Sequence, residues 1–343
     1  MRKMVEKIAR GVILLFLIIG VFISRPQVAG VDNPIHSYIE FFLPSLPLET
    51  HLKPAYDLFG IDDIIFQLEQ EFRPIVIPGE DEKYLIERLR DFDYLRTQFF
   101  VADRNTGLLP GDIDVDSALQ MDFTISRREP GPRVLIFHTH STEMFADSDP
   151  NNPTDGVLGL GARLAEVLER YYGIPAIHDT TRFDIVDGRT QIQGAYERME
   201  PHIRQILQDN PTIEIIIDLH RDGLPEGMPP LVSYINGQRA ARIMFVNGLS
   251  RRRSSSGALE PVPWLPNPYL RENLAFSFQL QMAANRLHPG FTRRLYLKAF
   301  RYSLHMLPRS VLVEVGAQNN TMEEARNAIP HLAAVIAEVV LSH

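Results

Sequence analysis

The sequence predicts an α/β fold in which helices cover both faces of a mostly parallel sheet. Several apolar segments, such as "RVLIF" at 133–137, are continuous rather than alternating, as expected of strands buried on both faces. These segments alternate with segments of helical period from about residue 131 to 343. Three of them end in histidine or acidic residues, which places polar side chains at one edge of the sheet.

Residues 1–25 are predicted to be a membrane anchor or a signal segment. Basic residues between Arg2 and Arg10 precede the uncharged run "GVILLFLIIGVFIS". The positive-inside rule keeps this basic end in the cytoplasm and places the rest of the chain outside. We therefore expect a single-pass protein of the cell membrane with an extracytoplasmic catalytic domain. Because the run is shorter than the usual span of about 20 residues, secretion after signal cleavage is the alternative.

Residues 26–130 are predicted to be a linker followed by a small helical lead-in region. The linker is rich in proline and aromatic residues up to about Val76 and shows no sustained period. Apolar residues at helical spacing in "EKYLIERLRDFDYLRTQ" predict a helix over 82–98 that packs on the next domain. The turn-rich segments "GLLPGD" and "RREPGP" end this region.

Residues 131–343 are predicted to be the catalytic domain. Its strands are expected within 133–137, 174–178, 212–222, 241–248 and 310–316. Its helices are expected at 160–171, closed by Gly173, at 194–208, at 273–287 and after Thr321. Thr321 and Glu324 have the spacing of a capping box, and Pro330 is expected to kink the last helix or to lie near its first turn.

Composition excludes several classes of function. The formal net charge of -8 argues against a nucleic-acid-binding protein, which needs a basic surface. The absence of cysteine excludes thiolate catalysis, disulfides and cysteine-based zinc sites. Any metal site must therefore consist of histidine and carboxylate ligands.

Histidine and glutamate residues after the predicted strands suit a zinc hydrolase. His140, Glu143 and His220 supply the two imidazoles and one carboxylate that hold many catalytic zinc ions, with a fourth position left for water. Such an ion polarises a scissile carbonyl and lowers the pKa of water. Glu314, at the end of "VLVEV", is the candidate general base. The alternative for Glu314 is an ion pair with a nearby arginine.

Three further residues are candidates for supporting roles. His138 lies two residues before His140 on the same predicted face and is either an alternative ligand or a residue that supports the ligands. Asp222 or Asp218 is expected to orient a metal-binding histidine, with a salt bridge to Arg221 as the alternative.

Several ordered motifs resemble the stage II sporulation protein P family between about residues 90 and 340. They are "HTHSTE", "DLHRDG", "MFVNG", "TRRLYLKAFRYSLHML" and "VLVEVGAQNNTMEEA". The resemblance implies an amidase-like fold, a Zn²⁺ cofactor and cleavage of the N-acetylmuramoyl-L-alanine amide bond of peptidoglycan, with endopeptidase action on cross-links as a second activity. It also implies septal wall remodelling during sporulation engulfment, beside stage II sporulation proteins D and M.

The same resemblance draws attention to His305 and Arg301 in "FRYSLHML" as substrate-binding residues.

Two other functions fit the pattern of residues. A zinc carboxypeptidase-like amide hydrolase shares the His-x-x-Glu and later His and Glu, but needs a basic residue for the terminal carboxylate. A non-catalytic wall-binding scaffold has no physical reason to retain a cluster of carboxylates and imidazoles.

Overall fold

The computed structural model describes residues 82–126 and 130–341. The predicted membrane segment and the proline-rich linker up to Val76 lie outside the described residues. None of the helices in the described part is long and apolar enough to cross a membrane.

The described residues form thirteen strands. They are β1 (Phe100–Ala102), β2 (Val134–Phe137), β3 (Ala176–His178), β4 (Ile185–Val186), β5 (Arg189–Thr190), β6 (Ile215–Asp222), β7 (Val232–Ile235), β8 (Gln238–Ala241), β9 (Ile243–Gly248), β10 (Arg251–Arg253), β11 (Leu259–Pro261), β12 (Leu295–Lys298) and β13 (Ser310–Ala317). Seven of them build one sheet in the order β1-β12-β9-β13-β6-β2-β3, and the other six pair as hairpins.

Seven α-helices precede, connect or follow these strands in the described part of the chain. They are α1 (Glu82–Leu89), α2 (Phe92–Tyr94), α3 (Val115–Gln120), α4 (Val157–Tyr172), α5 (Ala195–Asp209), α6 (Leu270–Leu287) and α7 (Met322–Val340). Gly173 ends α4 in the left-handed conformation, with φ 62°. The capping box of Thr321 and Glu324 begins α7 as predicted, while Pro330 lies inside that helix beyond its first turn.

The sheet consists of two parallel groups that run in opposite directions. β13, β6, β2 and β3 are parallel to one another, as are β1, β12 and β9. The two groups meet at the antiparallel pair of β13 and β9. The predicted α/β class with a mainly parallel sheet is therefore confirmed. Because β2, β6 and β13 run the same way, their carboxyl ends meet at one edge, which we call the carboxyl edge.

The two faces of the sheet pack against different helices, because side chains alternate along each strand. Ile136, Ile217 and Val313 belong to the large core that also contains the buried residues of α4, α6 and α7. On the opposite face, Leu135 and Ile216 pack in a smaller core with apolar residues of α5. We call this second, more thinly covered side the α5 face.

The lead-in region is more closely joined to the sheet than its sequence indicates. The helix predicted over 82–98 is divided at Arg90 and Asp91, because the Asp91 side chain caps α2 by accepting a hydrogen bond from the Tyr94 amide. The chain continues as a π-helix, Leu95–Phe99, into β1, which pairs with β12. One strand of the main sheet thus precedes the predicted domain start at residue 131.

Candidate metal and catalytic site

The carboxyl edge brings together the three residues predicted as metal ligands. His140 and Glu143 lie in the loop after β2, and His220 lies near the end of β6. Nδ1 of His140 is 3.6 Å from one Glu143 carboxylate oxygen, and Nδ1 of His220 is 3.3 Å from the other. One donor atom from each residue lies within 4.8 Å of the others, so this cluster can hold a metal ion.

A buried carboxylate, Asp218, orients His220. Its Oδ1 lies 2.7 Å from Nε2 of His220, which leaves Nδ1 facing the cluster. Asp218 also accepts hydrogen bonds from the amide and the hydroxyl of Thr139, at 2.9 and 2.7 Å. One carboxylate therefore fixes both the β6 histidine and the start of the loop that carries His140. This is the arrangement expected around metal-binding histidines, whose second nitrogen usually contacts a carboxylate or carbonyl.

A second buried carboxylate, Asp184, fixes the rest of that loop. It accepts hydrogen bonds from the Ser141 hydroxyl at 2.5 Å and from the Thr142 amide and hydroxyl at 2.9 and 2.6 Å. Burial opposes ionisation of Asp184, but these hydrogen bonds lower its pKa below the ordinary value. No sequence pattern points to this residue, because it lies in an irregular segment before β4.

Backbone packing fixes Glu143 as well. The Val157 amide at the start of α4 donates to the Glu143 carbonyl at 3.1 Å. A Cβ on Gly156 would lie only 2.5 Å from that carbonyl oxygen, so this close approach requires glycine. The side chain accepts a further hydrogen bond from the Arg221 amide at 2.9 Å.

The charges of Glu143 and His220 stabilise each other. Burial opposes ionisation of Glu143, yet the charge of His220 and hydrogen bonds from both histidines and Arg221 lower its pKa to about 2. Burial also opposes protonation of His220, but Asp218 and Glu143 raise its pKa well above the ordinary value. In the metal-free cluster the charged form of His220 is therefore favoured, with Nδ1 directed at Glu143 where a cation could lie.

Glu314 lies beside this cluster in the sheet. It is opposite His220 in the pairing of β13 with β6, so both side chains are on the α5 face. Its Oε2 is buried without a hydrogen-bond partner among the described residues. Burial raises the pKa of Glu314 to about 8, although the charge of His220 acts in the opposite direction. No described arginine forms an ion pair with it, so the predicted alternative of a structural salt bridge does not hold.

His138 does not point to the cluster. Its Nδ1 lies 2.8 Å from the carbonyl oxygen of Leu219, and its Nε2 lies 2.9 Å from Nε2 of His178. Burial, together with the neighbouring His178, lowers its pKa to about 3. Both ring nitrogens thus have partners within the protein, and the structure does not bring His138 into the cluster, so its role as an alternative ligand stays a prediction. It braces β6 next to His220.

Asp222 also differs from its predicted role. Its Oδ2 pairs with Nη1 of Arg293 at 2.5 Å, and its Oδ1 accepts from the Gly223 amide. Both ring nitrogens of His220 contact other carboxylates, so Asp218 and not Asp222 orients the histidine. Arg221 donates to the carbonyls of Met144 and Asp222, and the alternative of a salt bridge from it to either aspartate is not seen.

His305 and Arg301 meet at Glu200 of α5. Nε2 of His305 is 3.0 Å from one carboxylate oxygen of Glu200, and Nη2 of Arg301 is 3.2 Å from the other. Nδ1 of His305 lies 3.1 Å from the Tyr302 carbonyl oxygen. In the described contacts these residues attach the connection between β12 and β13 to α5, and their substrate-binding role stays a prediction.

Tyr196, which the sequence did not single out, lies next to the cluster, and Tyr302 packs against Tyr196. The ring of Tyr196 is 5.7 Å from that of His140 and 5.3 Å from that of Tyr302, edge-on in both cases. Burial and nearby acidic groups, Glu314 among them, raise the pKa of both hydroxyls. Both tyrosines therefore remain neutral hydrogen-bonding groups beside the site.

Comparison with known proteins identifies the family. The family model described as Stage II sporulation protein P matches residues 103–337. The chain belongs to the stage II sporulation protein P family. A curated relative, stage II sporulation protein P of Bacillus subtilis (strain 168), is 24% identical over 221 residues, which is 60% of this chain and 50% of the relative. The chain thus spans about half the length of the curated relative that it matches.

Solved structures give a more distant similarity. N-acetylmuramoyl-L-alanine amidase AmiC2 of Nostoc punctiforme is 15% identical, with a TM-score of 0.35 over 62% of this chain and 97% of the other. The CwlD amidase from Clostridioides difficile, solved in complex with the GerS lipoprotein, is 12% identical, with a TM-score of 0.37 over 60% and 94%. A metallo-carboxypeptidase from Burkholderia cenocepacia is 13% identical, with a TM-score of 0.33 over 63% and 58%. At TM-scores this low, the similarity supports no functional inference.

Proposed function

We propose that this chain is a zinc-dependent hydrolase of bacterial peptidoglycan that cleaves the amide bond between N-acetylmuramic acid and L-alanine, with cleavage of peptide cross-links as a second activity. The observation that carries the proposal is the convergence of His140, Glu143 and His220 beside the unpartnered carboxyl of Glu314. Membership of the stage II sporulation protein P family supports a cell-wall substrate.

The donor set fits zinc. Tetrahedral zinc with ligands at about 2.1 Å separates its donor atoms by about 3.4 Å. The nitrogens of His140 and His220 lie 3.6 and 3.3 Å from different oxygens of Glu143, and one donor atom from each residue lies within 4.8 Å of the others, so a small adjustment of the side chains reaches that separation. Two imidazoles and one carboxylate also leave a catalytic zinc ion an open position. When bound, such an ion supplies Lewis-acid polarisation of the scissile carbonyl and lowers the pKa of water.

The residues around the cluster divide the remaining tasks. Asp218 keeps the proton of His220 on Nε2, so that Nδ1 presents a lone pair to the cluster once the proton there is displaced. Glu314 is the residue that takes a proton at Oε2 during attack on the amide and returns it to the leaving amine. Its raised pKa suits a group that must both accept and give up a proton near neutral pH.

Mass analysis of the products tests this function. Purified protein with zinc is expected to release free stem peptides with a new L-alanine amino terminus from peptidoglycan. Glu314→Gln keeps the shape of the side chain but cannot accept a proton, so we expect activity to fall by about a hundredfold or more at normal zinc content. Glu323→Gln, an exposed residue of α7, is the matched control. Undiminished cleavage by the Glu314→Gln protein would remove this residue from the mechanism.

The two other functions predict different products. A carboxypeptidase-like hydrolase would release single amino acids from peptide ends and leave the muramoyl amide intact. A wall-binding scaffold would bind peptidoglycan and release nothing with or without zinc. The same mass analysis separates all three, because each leaves a different new terminus.

The cellular setting is part of the proposal. The basic flank and apolar run of residues 1–25 support a membrane-anchored chain with its catalytic domain outside the cytoplasm. Family membership supports action in septal wall remodelling during engulfment, together with stage II sporulation proteins D and M. A reporter that fluoresces only in the cytoplasm, fused at His343, is expected to stay dark. Bright signal would place the domain on the wrong side of the membrane for a wall substrate.

A further inference from the structure

Arg242 is a cationic residue near the proposed catalytic site that the proposed mechanism does not use. It directly precedes β9, and its carbonyl accepts a hydrogen bond from the Gly316 amide at 3.1 Å. In the antiparallel pairing of β9 with β13, Met244 is opposite Glu314. Side chains two residues apart share a face, so Arg242 shares the α5 face with Glu314 and lies at the carboxyl edge.

Arg242 has no counter-ion in the described part of the chain. Its Nη2 donates to the Thr292 carbonyl at 3.1 Å, and its Nε is buried with no hydrogen-bond partner. Burial, together with the like charge of Arg293, lowers its pKa to about 10. A partly buried guanidinium that lacks a carboxylate is costly unless a ligand completes it.

The neighbouring charges leave an excess of positive charge at this position. Arg293 is paired with Asp222 at 2.5 Å, and both of them influence the pKa of Glu314. Arg242, by contrast, has no carboxylate partner among the described residues. Arg293 also borders a small depression on the α5 face that is lined by Met244 and Tyr296.

We propose that Arg242 forms a subsite for a carboxylate group in the peptide half of the substrate, an inference that rests on the proposed amidase function. The chemistry of the substrate indicates which half of it carries the carboxylate. In peptidoglycan the muramic acid carboxyl is consumed in the scissile amide, and the remaining sugar groups are neutral, so free carboxylates belong to the peptide. A guanidinium binds a carboxylate through two parallel hydrogen bonds, which gives both affinity and orientation. Arg242 thus determines that the peptide half of the substrate, rather than the sugar half, binds on the α5 face.

The test compares charged and neutral substrates. We would measure kcat and KM of the purified full chain with zinc on muropeptides bearing free carboxylates, and on the same muropeptides with either the internal or the C-terminal carboxyl amidated. Arg242→Gln is expected to reduce kcat/KM on the charged substrate by about tenfold to a hundredfold, mainly through KM. On the substrate whose recognised carboxyl is amidated, wild type and Arg242→Gln are expected to be alike. The amidated position that removes the difference identifies the carboxylate.

Two variants control for structural damage. Arg242→Lys keeps the charge but loses the two-pronged geometry, so its loss on the charged substrate should be intermediate. Arg189→Gln removes an exposed arginine of the β4–β5 hairpin and is expected to leave all rates unchanged. Equal losses on charged and amidated substrates, or no loss on either, would overturn the inference.

Binding separates this inference from the proposed function. Fluorescence anisotropy of a labelled acidic stem tripeptide is expected to show weaker binding to Arg242→Gln than to wild type, by a similar factor. If the wild-type protein hydrolyses none of the muropeptides, the amidase function fails, and this binding difference still decides the role of Arg242. Equal binding by the two proteins would exclude the subsite.

Discussion

Replacing Glu314 by glutamine should stabilise the metal-free protein at neutral pH. The carboxyl has a folded-state pKa of about 8 against an ordinary value of 4.5. Between these values the unfolded chain releases the proton while the folded chain keeps it, so the folded state binds more protons. Stability then falls as pH rises from 4.5 towards 8. Glutamine does not titrate, and the variant avoids this loss.

The size of the effect follows from the pKa difference. At pH 7 the 2.5 pH units above 4.5 correspond to at most about 3.4 kcal/mol, at 1.36 kcal/mol per unit. Entry of water and local relaxation reduce this value, and we expect about 1–3 kcal/mol. Below about pH 4 the carboxyl is protonated in both states, so the two proteins should then have equal stability.

Urea unfolding of both proteins in the presence of a chelator measures this difference. The free energy of unfolding, extrapolated to water at several pH values from 4 to 8, should diverge steadily in favour of Glu314→Gln. A difference that does not depend on pH would refute the reasoning, because it would show that Glu314 ionises in the fold as easily as in the unfolded chain.

Three further predictions concern the ligand cluster. His220→Ala should remove most bound zinc, measured by metal analysis, whereas His202→Ala, on the exposed side of α5, should retain it; full zinc content in the first variant would exclude His220 as a ligand. Asp218→Asn should weaken zinc binding by about tenfold to a hundredfold in chelator competition, because Nε2 of His220 loses its carboxylate partner; an unchanged affinity would contradict that role. Gly156→Ala should destabilise the protein by about 1–3 kcal/mol in urea unfolding, because its Cβ would meet the Glu143 carbonyl; wild-type stability would show that the loop yields freely.

Sequence alone predicted the parts of the fold that depend on local pattern. Continuous apolar runs located β2, β3, β6, β9 and β13 but not β12, and the capping box located the start of α7. Position at strand ends was enough to bring His140, Glu143 and His220 to one edge, because parallel strands end together. β1 was missed because it has only three residues and its partner, β12, follows almost two hundred residues later.

Contacts made by irregular segments could not be predicted in the same way. Asp184 has no period around it, and its partners Ser141 and Thr142 are about forty residues away. The sequence does not decide between Asp218 and Asp222 as the residue that orients His220, because alternation along β6 places all three side chains on the α5 face. Only Asp218 contacts the His220 ring. Asp222 shares that parity but lies past the bulge in the pairing with β13, where Arg293 reaches it.

The segment 138–143 shows why so many polar residues directly follow the hydrophobic strand β2. Four of its six residues bond to the protein interior and two face the cluster. Among these four, His138 contacts the Leu219 carbonyl and His178, and Thr139 donates to Asp218. Ser141 and Thr142 both donate to Asp184. Because Asp218 lies on β6 and Asp184 lies before β4, His140 and Glu143 take their positions only when these elements are assembled. If the cluster binds zinc as proposed, its zinc affinity is coupled to folding of the sheet, because the buried polar bonds of the segment hold the two proposed ligands in place.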